Sequence, residues 1–260
     1  MKKTNLDNKP TLIFIHGMRG NHHGLIYIAR HLRDRYNVIV TDIPGSGGRP
    51  ELNNKSNEGY ADWLHQFIED KNFKQKPIII GHSMGSIITS NFIRKYPNDI
   101  DNRVIYLAPV FRTRYAKKQS IRRYKILRFF LELLPSKWAY KFESSKLLSF
   151  AISHYLTVDK TQQKKIDQIH YRYSGRFASH KSFISDTKIA MCETTWLTDK
   201  KNTLVVFGKG DKLTPYKYAA ERCKKYNVKF VLMENVGHFL NYERPAEVAE
   251  IINEFIESNS

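Results

Sequence analysis

The chain has 260 residues, 41% of them hydrophobic and 26% charged, and 43 Lys and Arg against 25 Asp and Glu give a formal charge of +18. That composition excludes a disordered chain, and no apolar run approaches the roughly 18 residues that cross a bilayer. The opening MKKTNLDNKP turns polar too early for a signal-peptide core, so a cytoplasmic protein is expected, and Cys192 and Cys223, in neither a C-x-x-C pair nor a zinc pattern, read as free thiols.

In chain order, Thr11–Ile15 is the first candidate strand. It is followed by a loop rich in Gly and His, and then by a helical stripe of Leu25, Ile28, Ala29 and Leu32. Val38–Thr41 reads as a second strand, and Tyr60, Trp63, Leu64, Phe67 and Ile68 as a second helix face. Pro77–Ile80 is a third strand, Ile87, Ile88 and Phe92 mark a third helix, and Val104–Leu107 is a fourth strand. These short Ile/Val runs do not alternate with polar residues, as expected of strands buried on both faces of a parallel sheet.

From about Phe111 to Trp196 the rhythm breaks into aromatic-rich helical segments. It resumes with strands at Leu204–Phe207 and Lys229–Leu232 and helices at Tyr218–Lys225 and Ala246–Ile256. The expected fold is α/β, a doubly wound and mostly parallel sheet of about six strands with an inserted helical cap. Residues 1–110 and 197–260 would form the core, and 111–196 the cap.

The cap carries most of the charge. Phe111–Thr195 holds 18 Lys and Arg against 6 Asp and Glu, or +12 of the +18. Within it, Tyr115–Leu134 reads as a basic amphipathic helix, with Ile121, Tyr124, Leu127, Phe130, Leu131 and Leu134 on one face. Two readings stand for it: a helix packing that stripe on the core and solvating its charges, or one serving an anionic membrane surface or anionic substrate.

Gly81-His82-Ser83-Met84-Gly85 follows a buried strand and opens a helix. A nucleophile elbow needs that setting, because the serine must sit on a tight turn with its hydroxyl above the sheet. A serine hydroxyl needs a base, and the base needs a carboxylate to hold its tautomer. Asp211, after strand Leu204–Phe207, and His238, after strand Lys229–Leu232, supply these in the required chain order. No carboxylate follows Val104–Leu107, and His154, His170 and His180 fall in the insertion.

Together His16-Gly17, Asp42-Ile43-Pro44-Gly45-Ser46-Gly47, Gly81–Gly85, Gly210-Asp211 and Gly237-His238 resemble the α/β-hydrolase superfamily, of the capped esterase and lipase kind. The resemblance covers nearly the whole chain outside the cap. It implies Ser83, Asp211 and His238 as catalytic residues, with the backbone N–H groups of Met84 and Met18 as the oxyanion hole. It implies a structural loop at Asp42–Gly47, with Asp42 no second acid. Relatives usually carry a strand hairpin ahead of the first strand. Here about ten polar residues precede it, so those two strands are expected to be missing, leaving a sheet edge free to pair.

Arg19, His22 and His23 are candidate substrate contacts at the cleft mouth. No metal is expected, because His22 and His23 are adjacent and diverge with no cysteine or acid nearby, and no cofactor is expected. A Walker-type phosphate loop fails for want of G-K-[ST], and no nucleic-acid reader motif is present. The expected function is hydrolysis of small-molecule carboxylic esters, of acyl-lipid type given the aromatic cap. Acyl transfer, carbon–carbon bond hydrolysis and a non-catalytic receptor on the same scaffold remain as alternatives. Oligomeric state is not legible.

Overall fold

The computed structural model describes residues 9–111, 122, 125, 126, 129, 130, 132–173, 178–192, 194 and 202–259, apart from the side chain at 171. Its first half alternates strand and helix: β1 (Thr11–Ile15), α1 (His22–Leu32), β2 (Asn37–Thr41), α2 (Asn57–Lys71), β3 (Ile78–His82), α3 (Met84–Lys95) and β4 (Arg103–Leu107). Helices α4 (Ser136–Glu143), α5 (Lys146–Leu156), α6 (Gln163–Tyr173) and α7 (His180–Ala190) come between β4 and β5 (Asn202–Gly208). The chain closes with α8 (Tyr216–Lys225), β6 (Lys229–Met233), α9 (Leu240–Glu243) and α10 (Pro245–Glu257).

The six strands run parallel in the order β2-β1-β3-β4-β5-β6. Alternate side chains point to opposite faces, and helices bury both. Leu12, Phe14, Ile78, Ile80, Leu204 and Val206 pack beneath Leu25 and Ile28 of α1 and Ile252 and Phe255 of α10. Ile13, Ile15, Ile79, Val205 and Phe207 pack against Tyr60 and Leu64 of α2, Ile87 and Phe92 of α3 and Cys223 of α8. This two-sided burial explains the lack of polar alternation in the strands.

One boundary moves with consequence. The glycine in Gly81-His82 suggests that the third strand stops at Ile80. It continues to His82, because Gly81 pairs with Tyr106 and His82 with Leu107 of the buried β4. Ser83 therefore leaves the sheet directly from a strand end. The chain steps outward from β1 to β2, then returns to the far side of β1 for β3, which puts the topological switch point between β1 and β3. Loops at the carboxyl ends of strands meet there, where open α/β sheets form their sites.

Most of the expected helix over 115–134 lies outside the described residues. Of its apolar stripe only Phe130 and Leu134 are described, and both are exposed, so those two do not pack on the core. The later insertion is pinned firmly. Lys55, in the loop before α2, reaches Asp186 of α7 at 2.8 Å and the Ser182 carbonyl at 3.1 Å, both out of solvent. The Tyr60 hydroxyl donates to the same Asp186 carboxylate at 2.7 Å. Burial lifts the Asp186 carboxyl above its usual range, and Lys55 opposes that lift.

Lys55→Met strands a buried carboxylate. It should lower unfolding free energy by about 3–5 kcal/mol, read from urea denaturation at neutral pH, while Lys55→Met with Asp186→Leu recovers most of the loss.

Candidate active site

Ser83 sits between β3 and α3 with φ 52° and ψ −120°, a conformation that L-residues rarely adopt. The turn is tight enough that a Cβ at Gly85 would lie 2.2 Å from the Ile15 carbonyl oxygen. Only glycine lets α3 start this close to β1. The Ser83 N–H donates to the Leu107 carbonyl at 3.0 Å, and the Ser83 carbonyl accepts from the Ser86 N–H and hydroxyl at 2.9 and 2.5 Å. These bonds hold the strained turn from both sides.

The three sequence-predicted residues converge. His238 Nε2 lies 2.9 Å from Ser83 Oγ, and His238 Nδ1 lies 2.7 Å from Asp211 Oδ2. The carboxylate is fully occupied: Oδ1 accepts the Leu213 and Thr214 N–H groups at 2.8 and 2.9 Å, and Oδ2 also accepts the Thr214 hydroxyl at 2.6 Å. Burial alone would raise the Asp211 carboxyl, but the His238 charge and these hydrogen bonds outweigh it and hold the group below its ordinary value. An ionised Asp211 fixes the Nδ1–H tautomer of His238 and leaves Nε2 free to accept from the serine. Thr214 is a residue the sequence reading did not find; its signal is its place three residues after the acid.

Beneath the triad, His82 donates through Nε2 to the His238 carbonyl at 3.2 Å, and burial drives its pKa down to about 3. It is a neutral packing residue. His16 is likewise neutral through burial: Nδ1 donates to the Gly17 carbonyl at 2.8 Å, and Nε2 accepts the Ile43 N–H at 3.1 Å. His16 thereby ties the β1 loop to the Asp42–Gly47 loop.

The β1 loop lies directly over Ser83. A Cβ at Gly17 would fall 2.8 Å from Ser83 Cβ. Met18 follows it along the cavity wall, and Met84 opens α3, where the first N–H groups have no intrahelical partner. Arg19 has φ 61° and its side chain reaches the insertion along the cavity wall. Its Nη1 donates to the Glu143 carbonyl at 2.6 Å and its Nη2 to Ser149 Oγ at 3.3 Å, and burial lowers its pKa to about 10. Arg19, expected as a substrate contact, lines the cavity and also braces the β1 loop against the insertion.

His22 and His23 also fall elsewhere. The His22 N–H and Nδ1 both bond the Asp42 carboxylate, at 2.6 and 2.8 Å, which accounts for Asp42 as a loop anchor. His23 donates its N–H to Asn21, the cap of α1, and stacks on Tyr173 with ring centroids 3.8 Å apart. Neither histidine belongs to the cavity lining. Both were candidates by sequence proximity alone, and their partners lie roughly 20 and 150 residues away.

The cavity above Ser83 holds about 570 Å³ and is overwhelmingly apolar. Leu148, Ile152 and Leu156 of α5 roof it, and His170, Phe183 and Phe239 complete its walls. Glu243 locks this roof to the histidine loop. Its Oε1 accepts the Gly237 N–H at 2.9 Å, and its Oε2 accepts the Val158 and Asp159 N–H groups at 2.9 and 2.7 Å. The His238 N–H donates to the Leu156 carbonyl at 3.1 Å. Glu243 looks in sequence like an ordinary acid at a helix start, so its three backbone partners gave no advance sign.

The alpha/beta hydrolase fold family matches residues 10–245 of the chain. The chain belongs to that family. This hydrolase is 24% identical over 260 residues to monoacylglycerol lipase ABHD6 of Homo sapiens, across 96% of this chain and 76% of the relative. Its structure is similar to that of a thermophilic esterase from Thermogutta terrifontis, with a TM-score of 0.72 at 20% identity over 96% of this chain and 90% of that one. It is also similar to an esterase from Exiguobacterium antarcticum, with a TM-score of 0.71 at 17% identity over 95% and 92% of the two chains. At these identities the two structures share the fold.

A histidine buried in its neutral form contributes stability that acid should remove. Burial lowers the His170 pKa from 6.5 to about 4, aided by the nearby Arg19 charge. The unfolded chain binds that proton first, so the stability contribution is full above pH 6.5 and is lost as pH falls towards 4. Asp186, Glu143 and Glu243, raised by burial, act with the opposite sign, so the His170 share is read as a difference. Between pH 7 and pH 5, His170→Asn should gain about 1–2 kcal/mol on the parent in urea denaturation. A pH-independent difference would contradict the assignment.

Proposed function

We propose that this α/β hydrolase cleaves carboxylic esters through an acyl-enzyme on Ser83. The observation that carries the reading is the continuous hydrogen-bonded sequence Ser83–His238–Asp211 at the base of an apolar cavity. The relatives named monoacylglycerol lipase and esterase support an ester as the bond cleaved.

His238 Nε2 accepts the Ser83 proton as Oγ bonds the acyl carbon and the carbonyl electron pair moves onto oxygen. The Met84 and Met18 N–H groups hold that oxyanion; each such donor is worth about 2.7–4 kcal/mol in the transition state. The strained backbone and the start of α3 favour this, since a helix N-terminus stabilises adjacent negative charge. The C–O bond then breaks and His238 returns the proton to the leaving alkoxide. A water, deprotonated by His238, attacks the acyl carbon; the bond from that carbon to Ser83 Oγ breaks, His238 returns the proton to Oγ, and the acid is released. Asp211 orients His238 and stabilises its cationic form throughout.

The cavity sets the substrate class. A lining of Leu148, Ile152, Leu156, Phe183 and Phe239 accepts an aliphatic acyl chain rather than a charged acyl group. Residues 111–196 act as the cap in this reading, with α4–α7 closing the acyl site from above.

Ser83→Ala should lower kcat on soluble p-nitrophenyl esters on the order of 10³–10⁶-fold with folding unchanged by circular dichroism, and Asp211→Asn roughly 10⁴-fold. Retained turnover in Ser83→Ala would reject the reading.

A further inference from the structure

The two helices nearest the cavity mouth hold polar groups inward among their cavity-lining leucines and also carry large apolar side chains outward. On α5 the buried side chains include Ser149 and Ser153, at 3% and 0% exposed, while Leu147 is 75% and Phe150 52% exposed. On α4 the charged Glu143 is 1% exposed, while Trp138 is 65% exposed. The polar side is held inward by specific bonds. Ser149 accepts from Arg19, and its carbonyl accepts from His170 Nδ1 at 3.0 Å. Ser153 donates to Asp167 at 2.5 Å, and Glu143 accepts His180 Nδ1 at 2.7 Å. These bonds prevent either helix from rolling to bury its apolar side.

The outward face combines large apolar groups with one sign of charge. Lys137, Lys141 and Lys146 are exposed on it, and the single acid of residues 136–156 is the buried Glu143. Lys141 Nζ lies 5.8 Å from the Trp138 ring, and Lys212 Nζ lies 5.6 Å from the Tyr155 ring. Lysines that lie along aromatic rings cover apolar surface while their ammonium groups stay in water. Phe142, Tyr155 and Leu213 are exposed on the surface and also line the cavity, so its mouth opens beside this face. Among the described residues no helix is long and apolar enough to cross a membrane.

From this arrangement we infer that the outward face of α4 and α5 docks on an anionic lipid bilayer. Trp138, Leu147 and Phe150 enter the interface, and Lys137, Lys141 and Lys146 meet the lipid phosphates. The cavity mouth then faces the acyl chains rather than water. Docking does not depend on the triad, so Ser83→Ala binds lipid as the parent does.

The test is co-sedimentation of the full chain with phosphatidylcholine vesicles, with and without phosphatidylglycerol. Binding is expected to the anionic vesicles, weaker in high salt. The variant Trp138→Ser/Leu147→Ser/Phe150→Ser, and separately Lys137→Glu/Lys141→Glu/Lys146→Glu, should each weaken it about tenfold or more while circular dichroism stays unchanged. Equal binding to neutral vesicles, no binding to anionic ones, or full binding by both folded variants would overturn the inference. So would a stable dimer of the parent, by sedimentation velocity, that the apolar variant dissolves, or binding to DNA without binding to vesicles.

Discussion

A serine backbone held at φ 52° and ψ −120° is the constraint on which the site depends. Such a conformation costs on the order of 1–3 kcal/mol and persists only where its surroundings over-determine it. Here β3 is paired with β1 up to Gly81 and with β4 up to His82, the Ser83 N–H is bonded to the end of β4, and Gly85 lets α3 close against β1. The same packing that strains Ser83 lifts its hydroxyl off the sheet and brings Gly17 over it. Ser83, the loop beside it and the first turn of α3 are therefore fixed together by the sheet core.

The insertion is coupled to this arrangement at separate points on the loops that carry the site. Arg19 ties the β1 loop to α4 and α5, Glu243 ties the His238 loop to the turn after α5, and Lys55 ties α7 to the core. Each is a buried charge with several partners. Such groups stabilise little against an apolar replacement of the same shape, but are costly to leave half-satisfied, so they favour one position of the roof over others. The inward polar groups of α4 and α5 belong to the same design, and they leave Trp138, Leu147 and Phe150 outward while Leu148, Ile152 and Leu156 face the cavity.

Much of the fold was legible because the strands are buried on both faces and so appear as unbroken Ile and Val runs. The residues that meet at the site were legible through their neighbours: the glycines that a tight turn or close approach requires stand beside Ser83, Asp211 and His238. What sequence could not give is pairing at a distance. His22 and His23 looked available because Asp42 and Tyr173, which engage them, are remote in the chain. Arg19 was legible as a cleft residue but not as a brace, because its partners Glu143 and Ser149 lie more than 120 residues away. The apolar run of α5 would ordinarily be read as inward-facing. Leu148, Ile152 and Leu156 do face the cavity, but Leu147 and Phe150 are left outward beside Ser149 and Ser153, whose partners again come from other elements.

The account stands on Ser83 being an activated nucleophile rather than a turn residue. Intact-protein and peptide mass spectrometry after treatment with a fluorophosphonate addresses this most directly. The account requires one adduct, on Ser83, and its loss in folded His238→Ala. An unmodified Ser83, or equal modification without His238, would contradict it.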